Sequence, residues 1–196
     1  EVRPARIVDL ALRALPLETD ELNVQRILGY LNQAYWRFTP ATRRAVLAPR
    51  VERTLRTRLD VAATTTLKAA YFATLRDVGL TRSTTTWLES IWREETHVAG
   101  LTLSESDYIA LAQELAVRAV PGWRRILERQ IERTGNPDRK ARLTFVAPAL
   151  SRDRSDRDRL FASLRDVANR RREPWAIEAL AYLNHPLRGT QSLRYV

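Results

Sequence analysis

Residues 104–137, SESDYIALAQELAVRAVPGWRRILERQIERTGNP, spell out a helix, a break, a second helix and the start of a third. Tyr108, Leu111, Ala112, Leu115, Ala116 and Ala119 recur at three- and four-residue spacing, which puts them on one face of a helix. Ser104 and Asp107 stand three apart just before that run, the spacing of a capping box. Val120-Pro121-Gly122 interrupts the pattern. Gly135 suits the end of the helix that follows, and Asn136-Pro137 suits the start of the next. An asparagine side chain accepts from free N–H groups at a helix start, and proline lacks the N–H left over there.

The same grammar extends in both directions. Val24, Ile27, Leu28, Leu31, Tyr35 and Phe38 form one stripe, and Leu160, Phe161, Leu164, Val167 and Ala168 form another. Thr39-Pro40 and Glu173-Pro174 read as further helix starts, with Thr39 as a cap. In residues 174–184, Ile177, Leu180, Ala181 and Leu183 are expected to face inward, with Trp175 as a packing wedge. Asn184-His185-Pro186 closes that helix, since proline disfavours helix in the residue before it. No segment reads as a strand. The spacing predicts helices over about 4–15, 20–37, 40–59, 66–78, 83–94, 104–119, 122–134, 137–150, 155–168 and 174–184. The expected fold is therefore all-α: about ten antiparallel helices in a single domain over 1–196. A helix pair repeats at the pitch of HEAT, armadillo or tetratricopeptide solenoids. The identities do not repeat, so the solenoid would be irregular; a globular helix bundle is the competing architecture. The chain has no methionine, and Leu193 and Val196 look like the opening of a further helix with nothing to cap it, which reads as a piece of a longer protein.

Composition narrows the chemistry. With no cysteine there is no disulfide, thiolate metal site or cysteine nucleophile. His97 and His185 are the only imidazoles and lie far apart in the chain, so no zinc-peptidase His-Glu-x-x-His is present. Phosphate-binding glycine loops and a Gly-x-Ser-x-Gly elbow are absent as well. No apolar run approaches the roughly 18 residues of a membrane span, and no signal-peptide layout opens the chain. The net charge of +10 invites a nucleic-acid reading. However, only Lys68 and Lys140 are lysines, and many arginines alternate with acidic residues. The excess reads as compositional bias more than a selected patch. Glu94, Glu95 and His97 read as a solvated cluster at a helix end. In SRDRSDRDR, 151–159, Asp153, Asp156 and Asp158 each precede an arginine that would neutralise them, at a helix start favourable to acidic residues. Arg170, Arg171 and Arg172 fall in a short turn between helices. His185, near a helix C-terminus, would gain from the dipole if protonated.

Four stretches carry a resemblance: RILGYLNQAYWRF (26–38), LKAAYFATLRDVGLT (67–81), NPDRKARLTFVAPALS (136–151) and NRRREPWAIEALAYLNHPLR (169–188). In that order and spacing, the chain resembles the helical C-terminal domain of aminopeptidase N-type zinc metallopeptidases, especially a bacterial subgroup. The resemblance covers about residues 20–195. It implies a larger multidomain peptidase in which a separate thermolysin-like domain holds one zinc ion and removes N-terminal residues from peptides. The helical domain closes over the cleft and bounds the substrate chamber. The expected partners are the catalytic domain of the same polypeptide and the peptide. The catalytic His-Glu-x-x-His and the Gly-x-Met-Glu-Asn motif are missing here, so no catalytic or metal residue carries over. Basic residues of this domain meet the peptide's far carboxylate in some members. By charge and turn location, Arg170, Arg171, Arg172 and Arg188 are the candidates, because a guanidinium donates two parallel hydrogen bonds to a carboxylate. The alternative is a free-standing basic HEAT-like module that binds nucleic acid or a protein partner.

Overall fold

A computed structural model describes residues 4–195, and among them every regular element is helical. The helices group into two compact units, Glu1–Thr102 and Leu103–Val196.

In the first unit, α1 (Pro4–Ala14) buries Val8, Ala11 and Leu12. Helix α2 (Glu21–Gln33) starts where Asp20 accepts from the Asn23 N–H at 2.9 Å, and buries Val24, Leu28 and Leu31. The expected helix over 20–37 changes character at Ala34–Phe38, which forms a π turn. A π turn bonds i to i+5 and so carries an extra residue past the core. The buried face moves accordingly to Ala34, Tyr35, Trp36 and Thr39, and Phe38, expected inside, is 54% exposed. Thr39 does not cap the next helix as expected. Its hydroxyl donates to the Ala34 carbonyl at 2.8 Å, closing the π turn, and the extended Pro40 takes the cap position.

Helix α3 (Ala41–Val61) buries Val51, Leu55 and Leu59 completely, each worth about 1.5–3 kcal/mol of transfer free energy. It packs on α4 (Thr65–Val78), which Thr64 caps and which also packs on α2. Helix α5 (Arg82–Trp92) buries Leu88, Ile91 and Trp92.

In the second unit, α6 (Glu105–Val117) begins with the expected capping box, both halves present. Leu111, Ala112, Leu115 and Ala116 are fully buried. The break falls where expected: Ala119 and Gly122 take positive φ, 53° and 76°, around Val120-Pro121. Helix α7 (Trp123–Arg133) and α8 (Pro137–Leu150) follow, the latter capped by Asn136 as the sequence predicts. Gly135 does not close α7 in a left-handed turn. Its N–H donates instead to Glu105 at 2.7 Å.

Two expectations fail beyond that point. The helix predicted over 155–168 divides into α9 (Arg154–Ser163) and the short α10 (Val167–Arg170). Asp166 accepts from the Ala168 N–H at 2.9 Å, a local side-chain bond that competes with helix continuation. Val167 is therefore 64% exposed and Ala168 is exposed too. Helix α11 (Glu173–Leu183) turns Ala176, Ala179 and Leu183 inward, while Ile177 is 58% exposed and Ala181 also faces out. Helix α11 packs against α8. The last element, Gly189–Tyr195, is a 3₁₀ helix.

Candidate functional site

Arg170 ends α10, and Arg171 and Arg172 lead into α11, where Arg172 is the cap residue. All three are exposed. The Arg172 guanidinium sits 4.1 Å from the centroid of the Trp175 ring, and that ring lies 5.9 Å from Phe145 of α8. Trp175 is thus the wedge the sequence suggested, and a platform for Arg172 besides. None of the three arginines pairs with a carboxylate among the described residues. They form a cationic corner whose donors are open to solvent.

Arg188 is not part of that corner. It lies beyond the other end of α11, a helix of about 16 Å at 1.5 Å per residue. Its Nη1 donates to the Ser151 carbonyl at 2.8 Å, and its Nη2 to the Leu150 and Ala149 carbonyls at 2.9 and 3.2 Å. Both of its terminal nitrogens are committed to the last carbonyls of α8, which no backbone N–H reaches. Burial, then the like charge of Arg157, pushes its pKa down to about 10.

Arg157 is the residue the sequence reading missed. It is 2% exposed and donates from Nη1 to the Ser151 and Arg152 carbonyls, both at 2.7 Å. A signal was available: Arg157 precedes Leu160 and Leu164 by three and seven positions, which places it on their buried face. The aspartates around it are neutralised, but not by the arginines that follow them. Asp153 meets Arg124 at 2.5 Å, Asp156 meets Arg159 and Arg124, and Asp158 meets Arg154 at 3.3 Å and Arg194 at 3.6 Å. Helical neighbours stand three or four apart, so an adjacent pair points to different sides.

Each unit also carries a groove. In the second unit an apolar groove of about 520 Å³ is lined by Trp123, Leu127, Ile131, Ala147, Pro148 and Leu160, and the Arg124, Asp156 and Arg159 ion pairs border it. In the first, a more polar groove of about 510 Å³ runs past Gln25, Asn32, Gln33 and Arg37 over Gly29 and Ala73.

Glu94, Glu95 and His97 follow the end of α5, where Glu94 takes a φ of 64° and His97 is exposed. Among the described residues, no three His, Asp or Glu side chains are grouped so as to share a metal ion. No helix there is long and apolar enough to cross a membrane. His185 accepts from the Leu187 N–H through Nδ1 at 3.2 Å. Against known proteins, no family model matches the chain and no curated protein matches it.

Proposed function

We propose that this chain is the non-catalytic C-terminal helical domain of a zinc-dependent aminopeptidase. In this reading it packs on a catalytic domain of the same polypeptide, where the zinc resides, and shapes the chamber that admits peptide. The resemblance of four ordered stretches motivates the reading. Its structural support is that those stretches form load-carrying helices of their units: α2 with its π turn, α4, α8 and α11. Consecutive helices pack as neighbours in the second unit, α6 on α7 and α7 on α8, as an irregular solenoid requires.

The observation that carries the substrate role is the corner at Arg170, Arg171 and Arg172. Elsewhere many arginines are consumed by carboxylates or helix ends, as at Arg124, Arg142, Arg157 and Arg188. Here three adjacent guanidinium groups are left to solvent, the chemistry that receives a peptide's far carboxylate. In the whole enzyme, Arg170→Ala, Arg171→Ala and Arg172→Ala together should raise KM for free peptides about tenfold, one charged hydrogen bond's worth. Peptides with an amidated C-terminus should be unaffected. Equal loss on both substrates removes the carboxylate role. Zinc-dependent turnover of aminoacyl-anilides by this chain alone removes the whole reading.

A second reading has one observation in its favour. Arg125 and Arg129 of α7 are exposed, one turn apart, and unpaired with carboxylates among the described residues. They suit a basic module that binds nucleic acid. Binding of that kind weakens steeply with salt, and failure to bind DNA or RNA at low salt excludes it.

A further inference from the structure

Within the second unit, side chains of α6, α8 and α11 line a smaller cavity of about 230 Å³. Gln113 of α6 lines it and is only 5% exposed. Its Nε2 donates to Glu178 Oε1 at 2.7 Å, while its Oε1 accepts no hydrogen bond among the described residues. A carboxamide oxygen in so buried a side chain normally has a partner. Glu178 of α11, itself mostly buried, receives Arg142 of α8 on its other oxygen. That bond uses Arg142 Nε, so the edge formed by Nη1 and Nη2 has no partner among the described residues. Ser106 and Arg139 also line the cavity, and Ile109 and Leu143 give it an apolar wall.

The charges here already balance, with Arg142 against Glu178 and Arg139 against Glu105. A ligand of net charge would leave a surplus in a partly buried site, which is costly. A ligand carrying one charge of each sign leaves none. The open acceptor and the open donors are also neighbours, because Glu178 bonds both Gln113 and Arg142. An ammonium received by Gln113 Oε1 and Glu178 would lie beside a carboxylate received by Arg142, as the two groups lie on one α-carbon. The Nη1–Nη2 edge offers a carboxylate two parallel N–H groups. Ile109 and Leu143 suit an apolar side chain. The volume falls below the roughly 300–1,000 Å³ of drug-sized sites, which suits one amino acid and not a length of peptide.

We propose that this cavity binds a free aliphatic α-amino acid, with its ammonium on Gln113 Oε1 and Glu178 and its carboxylate on Arg142. The site goes beyond the peptidase reading and does not depend on it.

The probe is L-leucine, titrated into the full chain and followed by amide NMR. The side-chain amide signal of Gln113 should shift saturably. Isocaproate, which lacks the ammonium, and isoamylamine, which lacks the carboxylate, should each bind about tenfold more weakly or worse, one charged hydrogen bond's worth. Arg142→Met should weaken L-leucine by about tenfold as well, while isoamylamine binds no more weakly than before. Isocaproate binding as tightly as L-leucine would overturn the proposal, since attraction of a carboxylate to surface arginines would then suffice. So would the lack of a saturable shift at Gln113, the result expected of a cavity that holds only water. The three ligands are compared on the unaltered protein, so the question is decided even if Arg142→Met does not fold.

Discussion

Among the described residues, the first unit buries one charged residue of each sign, Glu52 and Arg44, and the second buries Arg157, with the half-buried Arg188 beside it. In the first, the Glu52 carboxylate reaches from α3 to the start of α5. It accepts from the Leu80 and Thr81 N–H groups at 2.6 and 2.9 Å, the Thr84 hydroxyl at 2.6 Å, and the Thr81 hydroxyl. Arg44 meanwhile donates to the Trp36 and Thr39 carbonyls that end the π turn, at 3.3 and 2.5 Å. In the second, Arg157 and Arg188 share the end of α8. The same rule operates in both, with acid at the amide end of a helix and base at the carbonyl end. The difference is saturation. The two Glu52 oxygens collect four donors, whereas Arg157 and Arg188 each keep a buried Nε without a partner. The amide end of α5 serves one acid, whereas the carbonyl end of α8 serves two cations.

The largest break in this comparison should come from Arg157→Met. It strips the Ser151 and Arg152 carbonyls of their buried donor, and should cost about 3–5 kcal/mol in urea or thermal unfolding. Recovery of wild-type stability would mean that the guanidinium is dispensable and the cluster merely tolerated. Glu52→Ala follows, with an expected loss of about 2–3 kcal/mol as the Leu80 and Thr81 amides and two hydroxyls lose their acceptor. Glu52→Gln should fall between, since its amide keeps one accepting oxygen and presents donors to donors.

A pair of glycine substitutions sharpens the picture of the Glu52 junction. A Cβ at Gly79 would lie 2.6 Å from Thr84 Cγ2 and 2.9 Å from the Leu75 carbonyl, so Gly79→Ala should destabilise by about 1–3 kcal/mol. At Gly29 of α2 nothing lies within 4 Å. Gly29→Ala should stabilise by about 0.5–1 kcal/mol, because alanine loses less backbone entropy in a helix. Melting midpoints that move the same way would refute the steric distinction.

The smallest effect at neutral pH belongs to Glu105, the second unit's counterpart of Glu52. Its carboxyl is held below the ordinary carboxylate range, first by the Gly135 N–H and then by Arg139 and the Asn136 N–H. A depressed carboxyl stabilises the fold above its unfolded pKa and loses that contribution as pH falls through the folded value. Glu105→Gln should therefore lower stability near pH 7 and flatten the acid limb, with no difference from wild type at the most acid pH. A carbon-detected titration of Glu105 with an ordinary midpoint would remove the effect.

Local signals in the chain were read well where they act locally. Ser104 with Asp107, Asn136 with Pro137 and the Val120-Pro121-Gly122 break all appear where the spacing put them. Each depends on bonds within a few residues. The errors fall where a neighbour decides. The face of α11 turned so that Ala176 and Ala179, not Ile177, lie inward, and the π turn carried Phe38 outward. Among the site residues, Arg170, Arg171 and Arg172 remained together because they are adjacent. Arg188 separated from them because the length of α11 and the end of α8 determine what it meets.

The amino-acid order alone determined that this chain is helical and where most of its helices start and stop, because propensity, capping and apolar period are properties of one turn of backbone. It did not determine which charges are buried. That was decided by tertiary structure, since Arg157 goes inside where a second helix offers its unpaired carbonyls. No spacing within SRDRSDRDR identifies that helix as α8.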